Sequence, residues 1–194
     1  MKVFKLSTVG DCYIAATGVP YPRDDHAVLL VRFAECCRRK ANEVLKRLSE
    51  QNGMEDVSML SIRIGIHSGT VVAGVLRGSK ARFDLFGDTI NTASRVESTG
   101  EPDKIHLSRD TAELLEQAGK GEWLAPREQS VSAKGKGELK TFWLNAIDTE
   151  GLPKISGCDR LSSLRNSLRR SFKHEEECNN NSTGGLNGVD VELA

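Results

Sequence analysis

At 194 residues, with 38% hydrophobic and 28% charged side chains, the chain has material for one α/β domain and not for two large ones. Lys+Arg and Asp+Glu both total 27, so the net charge is zero, no global field attracts nucleic acid or an anionic membrane, and phosphate recognition must be local. Five cysteines, with Cys36 and Cys37 adjacent and no C-x-x-C pair, exclude a disulfide framework and a zinc site, which leaves a reducing, cytoplasmic setting as the expectation.

The opening MKVFKLSTVGDCYI has no signal-peptide apolar run, and nothing in the chain approaches the ~20 apolar residues that cross a bilayer. Phe4 to Val9 and Cys12 to Thr17 read as two strands around Gly10-Asp11, a dipeptide that closes hairpins and puts the carboxylate at the tip. From His26 to about Ser49, Leu30, Ala34, Cys37, Ala41, Val44 and Leu48 recur at steps of three and four, predicting a surface helix with one buried stripe, ended by Asn52-Gly53. Ser61 to His67 alternates, with Ile62, Ile64 and Ile66 against Arg63, Gly65 and His67, as a strand does. Gly69 to Val75 reads as a short extended piece, and Asp88 to Glu97 as a helix that Asp88 is placed to cap. Lys104 to Leu107 is a strand, Ser108 caps a helix through Leu115, and Glu122 to Leu144 holds two or three more strands. Strands interleaved with helices predict an α/β (α+β) sandwich, with helices on one face of a mixed sheet. Past Leu152-Pro153, Ser, Asn, Gly and Arg dominate, so residues 1–149 are read as the folded domain and 150–194 as a disordered tail. Within that tail Leu161, Leu164, Leu168 and Phe172 alternate at helical spacing with four arginines, a weak basic amphipathic pattern for membrane contact.

Three places carry chemistry. A carboxylate at a rigid hairpin tip, Asp11, is a hard oxygen ligand suited to Mg²⁺, although Gly-Asp is by itself ordinary turn sequence. In RFDLFGDTINTASRVES, Arg82 to Ser98, a helix from Asp88 sets Asn91 and Arg95 four apart on one polar face, with Ile90, Ala93 and Val96 toward the sheet. Ala133 to Thr141, AKGKGELKT, is a basic glycine-rich loop.

The string Arg82 to Ser98, with Val9-Gly10-Asp11-Cys12-Tyr13, Ser61 to Gly69 and Lys134 to Lys140 in the same order, resembles the catalytic domain of class III nucleotidyl cyclases over roughly Phe4 to Leu144. The resemblance implies the ferredoxin-like fold of that family and the closure of a purine nucleoside triphosphate to its 3′,5′-cyclic monophosphate with release of pyrophosphate. It implies a dimer with a second cyclase catalytic domain, the site lying between the two, and two Mg²⁺ or Mn²⁺ ions per complete site. Residue by residue, Asp11 holds metal, Asn91 positions the ribose, Arg95 meets the α-phosphate and Lys134 the departing pyrophosphate. Ser7 and Asp84 fall at the two base-selecting positions. Ser7 matches neither the Lys of adenylate cyclases nor the Glu of guanylate cyclases, whereas the Asp84 carboxylate can accept from the adenine amino group and is repelled by the guanine 6-oxo oxygen, favouring ATP over GTP.

The family's earlier strand, with its first metal-binding Asp, has no counterpart, so the fold is read as amino-terminally truncated, with an unpaired edge in its sheet. One carboxylate holds a metal pair poorly, so the fragment is expected to be inactive alone. Truncation is preferred to a natural half-site donor because Asp11 is retained. A non-catalytic nucleotide-binding or regulatory half that pairs with a complete cyclase domain is the competing function. Localisation is expected to be cytoplasmic, either free or as the inner part of a membrane protein.

Overall fold

The computed structural model describes residues 3–52, 60–76, 82–133, 137–145, 147 and 189–193. Two strands, β1 (Phe4–Val9) and β2 (Cys12–Ala16), pair antiparallel with Val9 opposite Cys12, so Gly10-Asp11 is the two-residue turn expected. Gly10 supplies the positive φ of 60° that such a turn needs. The long helix α1 (His26–Asn52) buries Ala27, Leu30, Val31, Ala34 and Val44, the stripe set by its three-four spacing. Strand β3 (Ile62–Ile66) follows, then a hairpin of β4 (Val72–Leu76) and β5 (Arg82–Phe86), helix α2 (Asp88–Ser98), β6 (Ile105–Ser108) and α3 (Arg109–Gln117). The remaining strands are β7 (Leu124–Pro126), β8 (Val131–Ala133), β9 (Gly137–Leu139), β10 (Thr141–Leu144) and β11 (Val189–Leu193).

Seven of these strands form one mixed sheet in the order β1-β2-β11-β3-β6-β10-β7, while β4-β5 and β8-β9 stand as separate hairpins. The alternation of β3 decides what covers each face. Ile62, Ile64 and Ile66 join Leu30, Val31 and Ala34 of α1 and Leu115 of α3 in the hydrophobic core. Gly65 points the other way, against α2, where a Cβ would lie 2.2 Å from the amide nitrogen of Glu97. Helices therefore cover both faces and not one as expected, because a strand with isoleucine on one side and Arg-Gly-His on the other offers a second, closer seat.

Two further corrections concern helix starts and the tail. The residue at the N-cap of α2 is Gly87, at φ 131°, with Asp88 the first helical residue, where its charge complements the helix N-terminus instead of capping it. Ser108 does cap α3, its side chain accepting from the Thr111 amide. Residues 189–193, inside the stretch expected to be disordered, form a strand between β2 and β3, closing the edge that the sequence leaves unpaired. The rest of that stretch, with its arginine-rich pattern, lies outside the described residues.

Candidate functional site

Helix α2 forms where it does because Thr89, Thr92, Ala93, Val96 and Glu97 supply a buried stripe, leaving Asn91 and Ser94 exposed and Arg95 half-buried on the other side. It is fastened along its length. At the first turn Thr89 Oγ1 donates to the carbonyl of Thr70, and Gly69 sits so close that a Cβ would come within 2.7 Å of that hydroxyl. In the last turns the Gly65 contact lets the helix backbone touch the strand, and Arg63 Nε donates to Glu97 Oε1 at 3.0 Å, neutralising a carboxylate that is only 6% exposed.

The C-terminal end is held by a buried histidine. His106 Nδ1 lies 2.6 Å from the Val96 carbonyl and Nε2 lies 3.3 Å from Arg127 Nη1, which also donates to the Thr99 carbonyl at 2.7 Å. This arrangement requires the neutral tautomer with the proton on Nδ1, since a carbonyl cannot donate and Arg127 cannot accept. Burial pushes the His106 pKa down to about 4, opposed by the Val96 hydrogen bond and reinforced by the Arg127 charge. Trp143 closes the cluster, its ring 4.6 Å from that of His106 and under the Arg127 guanidinium at 4.9 Å.

Strand β5 runs through Gly87 directly into α2, so Asp84, Asn91 and Arg95 belong to one continuous unit. Asp84 is half-buried opposite Gly74, and its Oδ1 accepts from the Leu85 amide at 3.1 Å. Phe4 of β1 meets Phe83 of β5 edge to face at 5.3 Å, which sets the strand carrying Ser7 beside the strand carrying Asp84. Ser7 itself is half-buried opposite Ile14, next to a register shift between Lys5 and Ser7. Asp11 is exposed at the hairpin tip. Lys134 lies outside the described residues. Two cavities, one of about 40 Å³ and one of about 430 Å³, share a lining around His67 to Val71 and Thr89, and none of Ser7, Asp11, Asp84, Asn91 or Arg95 lines either of them.

As a metal centre the described residues do not suffice. Asp11 offers one carboxylate, and no three of His, Cys, Asp and Glu come together to hold an ion among the described residues. A hard divalent cation needs six or so oxygens, so this donor set does not fit a metal pair, and no step below is assigned to one.

Sequence reasoning missed the residues that hold the site. His106 and Arg127 lie far from the motif and carry no spacing signal. The network at the start of α3, with His67 Nδ1 2.9 Å from Ser108 Oγ and Ser68 Oγ 3.0 Å from Thr111 Oγ1, was announced only by the polar side of the β3 alternation.

The model of the adenylate and guanylate cyclase catalytic domain matches residues 1–146. The chain is 41% identical over 153 residues to the receptor-type guanylate cyclase gcy-28 of Caenorhabditis elegans, covering 78% of this chain and 11% of that protein. It is 39% identical over 152 residues to the guanylate cyclase soluble subunit beta-2 of Rattus norvegicus, covering 76% of this chain and 21% of that one. It thus spans under a quarter of the length of either relative. Among solved structures, the guanylate cyclase domain of RhGC from Catenaria anguillulae in complex with GTP superposes with a TM-score of 0.55 at 35% identity, over 75% of this chain and 74% of that one.

Proposed function

Because the chain belongs to the adenylate and guanylate cyclase catalytic-domain family, we propose that it is one half of a purine nucleotide cyclase, closing ATP to 3′,5′-cyclic AMP in partnership with a second cyclase catalytic domain. In this reaction the ribose 3′-oxygen attacks the α-phosphorus, the bond from that phosphorus to the bridging oxygen breaks, and pyrophosphate leaves. The carrying observation is the α2 face bearing Asn91 and Arg95, on a helix seated against β3 at Gly65 and tied to it by the Arg63 to Glu97 pair, with His106 at its end. A carboxamide can accept from and donate to ribose hydroxyls, and a guanidinium four residues on can meet the charge that grows on the α-phosphate oxygens. Lys134 is assigned to the pyrophosphate oxygens and Ser7 with Asp84 to the base, while Asp11 would be one ligand of a metal site whose other carboxylates the described residues do not supply.

A second domain is supported by the neighbouring β4-β5 hairpin, which exposes Val72, Val75, Leu76 and Phe86, apolar side chains that favour cover by another surface. Asp84 supports adenine. Guanine is the second reading, favoured by the two relatives and the RhGC domain, all of which are named guanylate cyclases. No helix among the described residues is long and apolar enough to cross a membrane, and a cytoplasmic setting is proposed on the number and spacing of the cysteines, which suit neither a disulfide framework nor a zinc site.

The test is formation of cyclic AMP and cyclic GMP by the chain alone and mixed with a complete cyclase catalytic domain. Product is expected only from the mixture and mainly from ATP; dominant cyclic GMP moves the substrate to GTP. Tight nucleotide binding with no product in any mixture makes the chain a regulatory half. In the active mixture Arg95→Ala should lower turnover a hundredfold or more, about 2.7–4 kcal/mol of transition-state stabilisation, while nucleotide affinity barely changes. Equal losses in both refute the role given to Arg95.

A further inference from the structure

Arg95 lies in the last turn of α2 (Asp88–Ser98), and a last turn is where a helix frays, because its carbonyls have no partner within the helix. Asn91 lies a turn earlier, inside the helical hydrogen-bond ladder. The two site residues therefore differ in what holds them. Asn91 is fixed by the helix itself, whereas Arg95 depends on whatever takes up the terminal carbonyls.

Those carbonyls are taken up by a chain of contacts that ends on the sheet. The Arg95 carbonyl accepts from the Thr99 amide at 3.2 Å and from Thr99 Oγ1 at 2.7 Å. Thr99, the C-cap residue, in turn offers its own carbonyl to Arg127 Nη1 at 2.7 Å. The neighbouring Val96 carbonyl is met by His106 Nδ1 at 2.6 Å. Only Thr99 thus stands between Arg127 and Arg95.

Arg127 is itself held from several sides. Its amide donates to the Thr141 carbonyl of β10 at 3.0 Å, which carries the β7-β10 pairing one residue past Pro126. Its guanidinium lies 4.9 Å over the Trp143 ring, and Nη1 donates to His106 Nε2 at 3.3 Å. The positive charge faces the carboxyl-terminal end of α2, where the helix dipole is negative. A guanidinium suits this seat because its planar fork donates in fixed directions while its face stacks on an indole.

We infer that Arg127 is a positioning residue for the cyclisation: through the Thr99 carbonyl it fixes the last turn of α2, and with it the place from which the Arg95 guanidinium meets the α-phosphate. The inference deepens the cyclase reading and rests on it for the chemistry of Arg95. In this role Arg127 touches no nucleotide. Without it the last turn frays and Arg95 samples several positions, so the transition state loses a contact that the ground state never had. Asn91, held by the helix itself, keeps its place toward the ribose.

The experiment compares the full chain with Arg127→Met and Arg127→Lys, each mixed with a complete cyclase catalytic domain. Methionine keeps an apolar stem against Trp143 without a donor, and is chosen over alanine so that the domain still folds. Arg127→Met should lower kcat about tenfold or more, with KM within about twofold of that of the unsubstituted chain. Arg127→Lys, which keeps the charge and a donor for Thr99, should regain most of that loss. On an Arg95→Ala background Arg127→Met should cost nothing further, since it acts through a group already removed. A further drop of the same size there overturns the inference, because Arg127 then acts elsewhere, on the segment leading to Lys134 or through general stability. So does a KM that rises as much as kcat falls.

A second arm uses the full chain alone, without nucleotide. In Arg127→Met the Thr99 and Gly100 amides should lose hydrogen-exchange protection by about tenfold, while those of Thr92 and Ala93 keep theirs. The NMR order parameter of the Arg95 Nε–H bond should fall in the same variant and recover in Arg127→Lys. Unchanged protection at Thr99 overturns the inference, and so does a uniform loss along α2, which would make Arg127 a stabiliser of the whole domain. A mixture that makes no product even with the unsubstituted chain refutes the cyclase reading, while the exchange and order measurements still decide whether Arg127 holds Arg95.

Discussion

The helix that carries Asn91 and Arg95 and the hairpin that carries Asp11 belong to the same domain but are held in opposite ways. Helix α2 is pinned by Thr89 to Thr70 at its start, by the Gly65 contact and the Arg63 to Glu97 pair in its later turns, and by His106 and Arg127 at its end. The β1-β2 hairpin is tied to the rest through β11 and the Phe4 to Phe83 contact, and its tip is exposed. The difference teaches where accuracy is needed. In the proposed reaction Arg95 meets charge only in the transition state, and such a group must be fixed before that charge forms, which a packed helix provides. The Asp11 carboxylate, exposed at its tip, has no comparable packing around it.

One substitution made in both regions tests that contrast most sharply. Gly65→Ala forces a Cβ to within 2.2–2.6 Å of Glu97 backbone and side-chain atoms, so the helix must move off the strand. The expected loss is about 3 kcal/mol or more in chemical denaturation, with α2 the part released first in hydrogen exchange. A loss below about 1 kcal/mol would mean that α2 is not seated on β3 as described.

Next comes the histidine that holds the end of α2. Its pKa is about 4 in the folded chain against an ordinary 6.5, so the unfolded chain binds the proton over a range where the native one does not. The stability that comes from keeping His106 neutral is complete above about pH 6.5 and is lost as pH falls toward 4, on the order of 3 kcal/mol in all. The measurement is unfolding free energy against pH for the natural chain and for His106→Asn, whose side-chain amide can still donate to Val96. The variant should lack this part of the slope; identical curves would show that His106 does not titrate as its burial demands.

The smallest effect is expected at the hairpin. Gly10→Ala meets no atom within 4 Å but places a side chain at φ 60°, so about 1 kcal/mol should be lost through backbone strain alone. A loss as large as that of Gly65→Ala would erase the distinction between the two regions.

Much of this was legible in the residues. The isoleucine alternation of β3, the α1 stripe, the Gly10-Asp11 turn and the Ser108 cap all reached the structure as read, because each depends on contacts within a few positions along the chain. The Arg82 to Ser98 string carried the family, and the family model and the relatives agree with it. The choice of Asp84 as the base-reading group, the metal role of Asp11 and the role of Lys134 remain proposals to be tested by activity. The capping assignment moved by one residue, since Gly87 at φ 131° takes the N-cap and leaves Asp88 inside the first turn.

By itself, then, the sequence determined the periodic elements, the polar face of α2 and the membership of the chain, all of which rest on local spacing or on a long ordered string. Only the tertiary structure decided that α2 sits on the face opposite α1, that His106 and Arg127 clasp its end, and that residues 189–193 lie between β2 and β3. Those outcomes join residues tens of positions apart through backbone edges, close contacts and buried charge, and no periodicity along one chain encodes which distant partner will satisfy them.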